Sequence, residues 1–207
     1  MPSVNFRLYL VTDRHQTAGR PLSSVVGRAV RAGVRAVHLR ERDLSTFELL
    51  GMAEDLQRTM PDLQLYLNDR VDVALAVSSR GAHLRESSLP TRVARDLLGP
   101  EQLLGRSVHS VEGVLTAERE GADFVVLGPI YSTPSKQEYG PPLGLGVLEK
   151  AARTARIPVF AIGGITILRA REVRGVGGYG VAVLSSIMTA PEVEQTTQAF
   201  LSALEVP

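Results

Sequence analysis

DFVVLGPIYSTPSK, residues 123–136, decides the fold, because an apolar run there ends in a turn that carries hydroxyls and one lysine. Asp123 to Leu127 reads as a buried strand, short and rich in Val, Leu and Phe. Gly128 and Pro129 stop it and turn the chain. Behind them Tyr131, Ser132, Thr133, Ser135 and Lys136 put hydrogen-bond donors and a positive charge on a loop at the carboxyl end of a strand. An α/β fold keeps its binding groups in such loops, so the stretch predicts an α/β architecture with a site above the strand ends.

Outward in both directions, short apolar runs alternate with helical patterns. Strands are predicted at 7–12, 36–40, 63–67, 81–84, 102–106, 123–127, 157–162 and 180–184. Helices follow at 21–33, 44–60, 71–77, 89–98, 110–120, 144–155, 166–173 and 191–204, and a short extra helix is predicted at 187–189. Eight strand and helix pairs in regular order, with no weak linker between them, predict a closed (β/α)8 TIM barrel. An open doubly wound sheet is the alternative, and it usually has fewer parallel strands. At 207 residues the chain is expected to form a single domain, 1–207.

Composition narrows the function classes. Lys and Arg number 23 against 22 Asp and Glu, a formal net charge of +1, so no overall field attracts nucleic acid or a membrane surface. Aromatics are sparse and tryptophan is absent, which leaves few platforms for stacking bases. With no cysteine, disulfides, thiolate metal sites and a cysteine nucleophile are excluded. The first residues, MPSVNFRLYLVTDRH, contain no apolar stretch long enough for a signal peptide or membrane span. A cytoplasmic protein acting on a small molecule is expected, with a homo-oligomer left open.

In a barrel of this kind the carboxyl ends of the strands carry the site. His38, Arg40 and Arg42 recur at spacing two, which puts them on one face of an extended strand. Further round come Asn68, Asp69, His83, Arg106, Ser107 and His109, then Gly163 and Gly164, then Ser185 and Ser186. The glycines and serines end the seventh and eighth strands, where such barrels frequently bind phosphate through backbone amides at a short helix. Either pair alone fits an ordinary turn or cap; together they point to a phosphate group. Of the four histidines, His109 is the candidate proton shuttle, just past the fifth strand at the barrel mouth. His38, beside two arginines, is expected to stay neutral. His15 is expected in solvent, and His83 has a plain packing role available.

GAHLRESSLP, LGRSVHS, VVLGPIYSTPSK, AIGGIT and GVAVLSSI resemble the thiamine phosphate synthase superfamily, from Leu8 to about Ile187. The resemblance implies one of two activities on a barrel. One is the synthase, which joins a pyrimidine pyrophosphate to a thiazole phosphate with magnesium; the other is the TenI-like tautomerase, which isomerises a thiazole phosphate carboxylate. The synthase pattern implies a Gln, Arg, Lys series where His38, Arg40 and Arg42 stand, and an Asn-Asp pair matched by Asn68 and Asp69. It also implies a second metal-binding aspartate where Ser88 stands, in the run Arg85, Glu86, Ser87, Ser88. A hydroxyl is a weaker ligand than a carboxylate for a hard cation. The expectation is therefore the tautomerase, with His109 shuttling the proton and no cofactor. Gly164, Ser185 and Ser186 would take the substrate phosphate, Lys136, Thr133 and Arg40 its carboxylate, and Asn68 and Ser107 would complete the binding site. The synthase is the alternative, with Mg2+ at Asp69. A non-catalytic regulator that binds a phosphate ligand is the third reading.

Overall fold

Runs such as LYLV (β1, Leu8–Val11), FVVL (β6, Phe124–Leu127) and GVAV (β8, Gly180–Val183) are buried at every position, the pattern of parallel strands covered on both faces. A computed structural model describes residues 3–133 and 141–205. It joins these runs to β2 (Ala36–Leu39), β3 (Gln64–Asn68), β4 (Gly81–Leu84), β5 (Leu103–Val108) and β7 (Val159–Ala161). The strands are parallel and form a closed barrel in sequence order, with β8 pairing back onto β1. The predicted (β/α)8 TIM barrel is thus the observed fold. Around it lie α1 (Leu22–Arg31), α2 (Thr46–Thr59), α3 (Val71–Ala76), α4 (Thr91–Leu98), α5 (Val111–Arg119), α6 (Gly144–Thr154), α7 (Ile167–Gly175), α8 (Ser185–Met188) and α9 (Val193–Glu205).

Boundaries differ from the sequence expectation where local chemistry decides. The last helix begins at Val193 and not at 191, because Pro191 and Glu192 form the turn that leads into it. The short helix starts at Ser185, so both serines belong to its first turn. β2 stops at Leu39, which leaves Arg40 and Arg42 on the loop beyond it, whereas β5 runs on to Val108 and takes Ser107 into the strand.

α2 opens with a reciprocal cap. The Ser45 hydroxyl accepts from the Glu48 amide at 3.3 Å, and the Glu48 carboxylate accepts from the Ser45 amide at 2.9 Å. Ser45→Ala is expected to cost about 1 kcal/mol, seen as a lower urea midpoint at unchanged slope. An unmoved midpoint would show that the cap contributes nothing.

The core has two parts. Aliphatic side chains fill the space between strands and helices. Inside the barrel, Phe6, Tyr9, Tyr66, Phe124 and Phe160 form a separate cluster. Phe6 stacks on Phe160 at 5.3 Å between ring centres, and Tyr9 meets Phe124 edge-on at 5.5 Å. These rings close the barrel as a solid floor, each burial worth roughly 1.5–3 kcal/mol by general transfer estimates.

Candidate active site

Directly above the aromatic floor, strands β2 to β5 place a layer of buried polar side chains. The rings of His38 and His83 lie 4.3 Å apart, and His38 stacks on Tyr9 at 5.6 Å. His38 Nε2 is 3.1 Å from the Asn68 side-chain oxygen. His83 Nε2 is 3.0 Å from the Ser107 hydroxyl, and its Nδ1 is 3.4 Å from the Tyr9 hydroxyl. Burial pushes His83 down to about 3, with a minor opposing pull from Asp69. Burial also lowers His38, reinforced by His83 and then by Arg40. The sequence attributed the neutrality of His38 to the arginines; desolvation is the larger cause.

Over this layer opens a cavity of about 1000 Å³ at the carboxyl ends of the strands. His38, Arg40, Arg42, Asn68, Ser107, His109, Thr133, Gly164, Ser185 and Ser186 all line it. Lys136 and Ser135 fall outside the described residues.

The wall formed by the sixth, seventh and eighth loops is tightly built. Backbone pairing continues past the strands, with Ile130 donating to the Ile162 carbonyl at 2.8 Å and Tyr131 to that of Gly163 at 3.2 Å. Gly164 sits at φ +63°, and a side-chain carbon there would lie 2.6 Å from the Ser132 carbonyl oxygen. Only glycine suits that turn. Ser186 donates its hydroxyl to the Ile165 carbonyl at 2.8 Å, tying the last two loops together. In α8 the Ile187 and Met188 amides donate to the Leu184 carbonyl at 3.1 and 2.9 Å, while Ser185 and Ser186, which precede them, line the cavity wall with Gly164.

The opposite wall is cationic. Burial, then the adjacent Arg42, lowers Arg40 from the usual arginine range. The Arg40 amide donates to the Thr12 hydroxyl at 3.0 Å, and that hydroxyl donates to Glu41 at 2.6 Å. Glu41 is buried and also accepts from the Arg14 amide at 3.0 Å. Sequence reading missed Thr12, Arg14 and Glu41, because a Glu between two arginines looks like an ordinary surface charge. His15 is exposed as expected, and it lies 2.9 Å from Asp43.

Asp69, the residue named for magnesium, does not line the cavity; Arg85 does. Asp69 adopts φ +58°, accepts from the Arg85 amide at 2.8 Å, and is hydrogen-bonded by the Arg85 guanidinium. Burial acts to raise its carboxyl, but the Arg85 amide and guanidinium, with the Ser88 hydroxyl, outweigh it and hold the group below its ordinary value. The other nearby carboxylate, Glu86, lies 3.7 Å from His109 Nε2. His109 Nδ1 donates to the Gly128 carbonyl. Among the described residues no cluster of three or more His, Cys, Asp or Glu is arranged to hold a metal ion. The side chains around Asp69 do not fit a magnesium ion: one carboxylate is already neutralised, and its neighbour is a hydroxyl.

A closed eight-stranded barrel with a cavity at the carboxyl ends of its strands places the chain among the (β/α)8-barrel proteins. The chain belongs to the thiamine monophosphate synthase family, whose model matches residues 8–187, and so to an enzyme family of thiamine biosynthesis. A putative thiamine-phosphate synthase of Geobacter sulfurreducens is 44% identical over 206 residues, covering 99% of this chain and 97% of that one. The thiamine-phosphate synthase of a Roseiflexus species is 38% identical over 200 residues, covering 96% and 85%. The structure of a thiamine phosphate pyrophosphorylase from Pyrococcus furiosus superposes with a TM-score of 0.87 at 34% identity, covering 96% of this chain and 95% of that one.

These relatives overturn the tautomerase expectation. Chains that match almost end to end carry the synthase name, so the isomerase activity, and with it the role of His109 as its proton shuttle, is corrected. Ser88 had been given too much weight: losing one carboxylate weakens a cation site without specifying a different reaction. No helix among the described residues is long and apolar enough to cross a membrane.

Proposed function

We propose that this chain is a thiamine-phosphate synthase, a transferase that joins a pyrimidine pyrophosphate to a thiazole phosphate. One observation carries the reading: a single cavity offers phosphate-suited backbone at one wall and arginines at the other, in a chain 44% identical along 206 residues to a putative synthase. In the reaction the carbon–oxygen bond to pyrophosphate breaks, and pyrophosphate leaves with the electron pair. The lone pair of the thiazole nitrogen forms the new carbon–nitrogen bond. Negative charge grows on the leaving group, so cations fixed beside it lower the barrier.

In this scheme Gly164 and the first-turn amides at Ser185 and Ser186 take the thiazole phosphate, and Arg40 and Arg42 the pyrophosphate. Asn68 and Ser107 hold His38 and His83 in fixed orientations beneath the pyrimidine. Thr133 lines the same cavity, and Lys136, three residues further along the sequence, is proposed as an additional ligand for the substrate. His109, anchored on Gly128, is a binding residue here, since the coupling itself moves no proton between carbons. The setting proposed is cytoplasmic, with small phosphorylated molecules as partners and neither nucleic acid nor membrane.

The test is a coupling assay with both substrates, following thiamine phosphate and released pyrophosphate in equal amounts. Arg40→Ala is expected to lower kcat/KM by about a hundredfold, as for loss of a charge contact that strengthens in the transition state. Ligand binding with no turnover under any metal condition would overturn the proposal in favour of a phosphate-binding regulator.

A further inference from the structure

The Asp69–Arg85 pair has a consequence for how a diphosphate is held, and the following rests on the synthase reading. Three observations converge. Asp69 binds the Arg85 guanidinium and is not among the residues that line the cavity, whereas Arg85 is. Arg85 uses its Nε and its amide on Asp69, and none of the described residues accepts from its terminal Nη groups. Arg40 and Arg42 line the same cavity, so three guanidinium groups share one ligand space.

We propose that Arg85, clamped by Asp69, supplies the counter-charge that a divalent cation would otherwise provide, making this cavity a metal-independent site for a diphosphate group. A guanidinium has five N–H donors in a planar fork that matches phosphate oxygens. With Nε on Asp69, the two terminal amino groups are left to grip the diphosphate. Asp69 fixes the fork in place, which its left-handed backbone at φ +58° and the short tether through the Arg85 amide make specific to this pair. A magnesium ion at the same carboxylate would have to displace the guanidinium and would find Ser88 as its second protein ligand. Glu86, the other nearby carboxylate, lies 3.7 Å from His109 Nε2.

The experiment is calorimetric titration of the whole protein with inorganic pyrophosphate, once in EDTA and once with excess Mg2+. Wild type is expected to bind in EDTA with an affinity within about twofold of that in Mg2+, since the charge is already built in. Arg85→Ser is expected to lose about tenfold in EDTA, the usual scale of a charge-assisted contact, and to recover part of it when Mg2+ is added, because Asp69 is then exposed. Arg85→Lys keeps the charge without the fork and is expected to fall between the two. Binding by wild type that collapses in EDTA would overturn the proposal. So would an Arg85→Ser variant with unchanged affinity. The coupling assay separates the two levels: coupling that requires Mg2+ would remove the role of Arg85 and keep the synthase. Metal-independent pyrophosphate binding without coupling would do the reverse.

Discussion

Between about pH 6.5 and pH 3 the protein is expected to lose roughly 1.4 kcal/mol of stability per pH unit on account of His83 alone. The sign follows from where the proton binds. Above about pH 6.5, the ordinary histidine value, the ring is neutral in both folded and unfolded chains, and its contribution is constant. Below that, the unfolded chain takes up a proton, but the folded chain does not until about pH 3, because burial excludes the charge. Each step down in pH therefore favours unfolding. His38 acts in the same direction, since its ring is also buried and lies 4.3 Å from His83. The Asp69 pair behaves differently. Its carboxyl is depressed, so its contribution is intact above the ordinary carboxylate value and is lost only as pH falls below it. Acid lability that begins well above the carboxylate range is thus the signature of the histidines. Urea midpoints measured from pH 7.5 to 4.5 would read it, and His83→Gln is expected to remove about one proton's worth of slope. A flat profile between pH 7 and 5 would mean that both rings take up protons as freely in the folded chain as in water.

Gly81→Ala is expected to be the most damaging single-carbon change in the barrel, costing upwards of about 3 kcal/mol, the upper range for overpacking. A side-chain carbon at residue 81 would lie 1.7 Å from the Leu103 carbonyl oxygen and 2.7 Å from its carbon. Gly81 is in register with Leu103 across β4 and β5, so the obstacle is backbone and no side-chain rotation relieves it. β4 and β5 must part to admit the added carbon. Against a net stability of order 5–15 kcal/mol, a loss of this size is expected to put much of the protein in aggregates at 37 °C. Gly51→Ala is the control. It lies in α2 with nothing within 4 Å of the added carbon, and is expected to stabilise by about 0.4–1 kcal/mol. Equal urea midpoints for the two variants would disprove the account.

The barrel was legible because parallel strands leave continuous apolar runs, and LYLV, FVVL and GVAV each end in turn chemistry. That Gly163–Gly164 and Ser185–Ser186 would share one cavity wall was legible too, since both pairs are local signals at strand ends. What escaped depends on distance along the chain. Asp69 and Arg85 are 16 residues apart, and nothing in either neighbourhood announces that a left-handed aspartate will seize the arginine of the next loop. Thr12 and Glu41 are 29 apart, and only the closed β1–β2 pairing brings the hydroxyl onto the carboxylate. His83 looked like simple packing, and its burial does have that character; its contact with Ser107 depends on β5 extending beyond Arg106. The reaction itself was misread, since residue types at one loop position speak to ion binding and not to which bond is made.

The floor of rings beneath His38 and His83 also dictates traffic. With Phe6, Tyr9, Tyr66, Phe124 and Phe160 packed inside the barrel beneath it, the cavity opens at the carboxyl ends of the strands. On the synthase reading both substrates enter by that opening, and the joined product shares its exit with the departing diphosphate. On that reading the diphosphate would be held by side chains that reach in from the rim, and the phosphate of the coupled product by backbone amides. Diphosphate is therefore expected to be first out and the coupled product last, which sets the order of product inhibition.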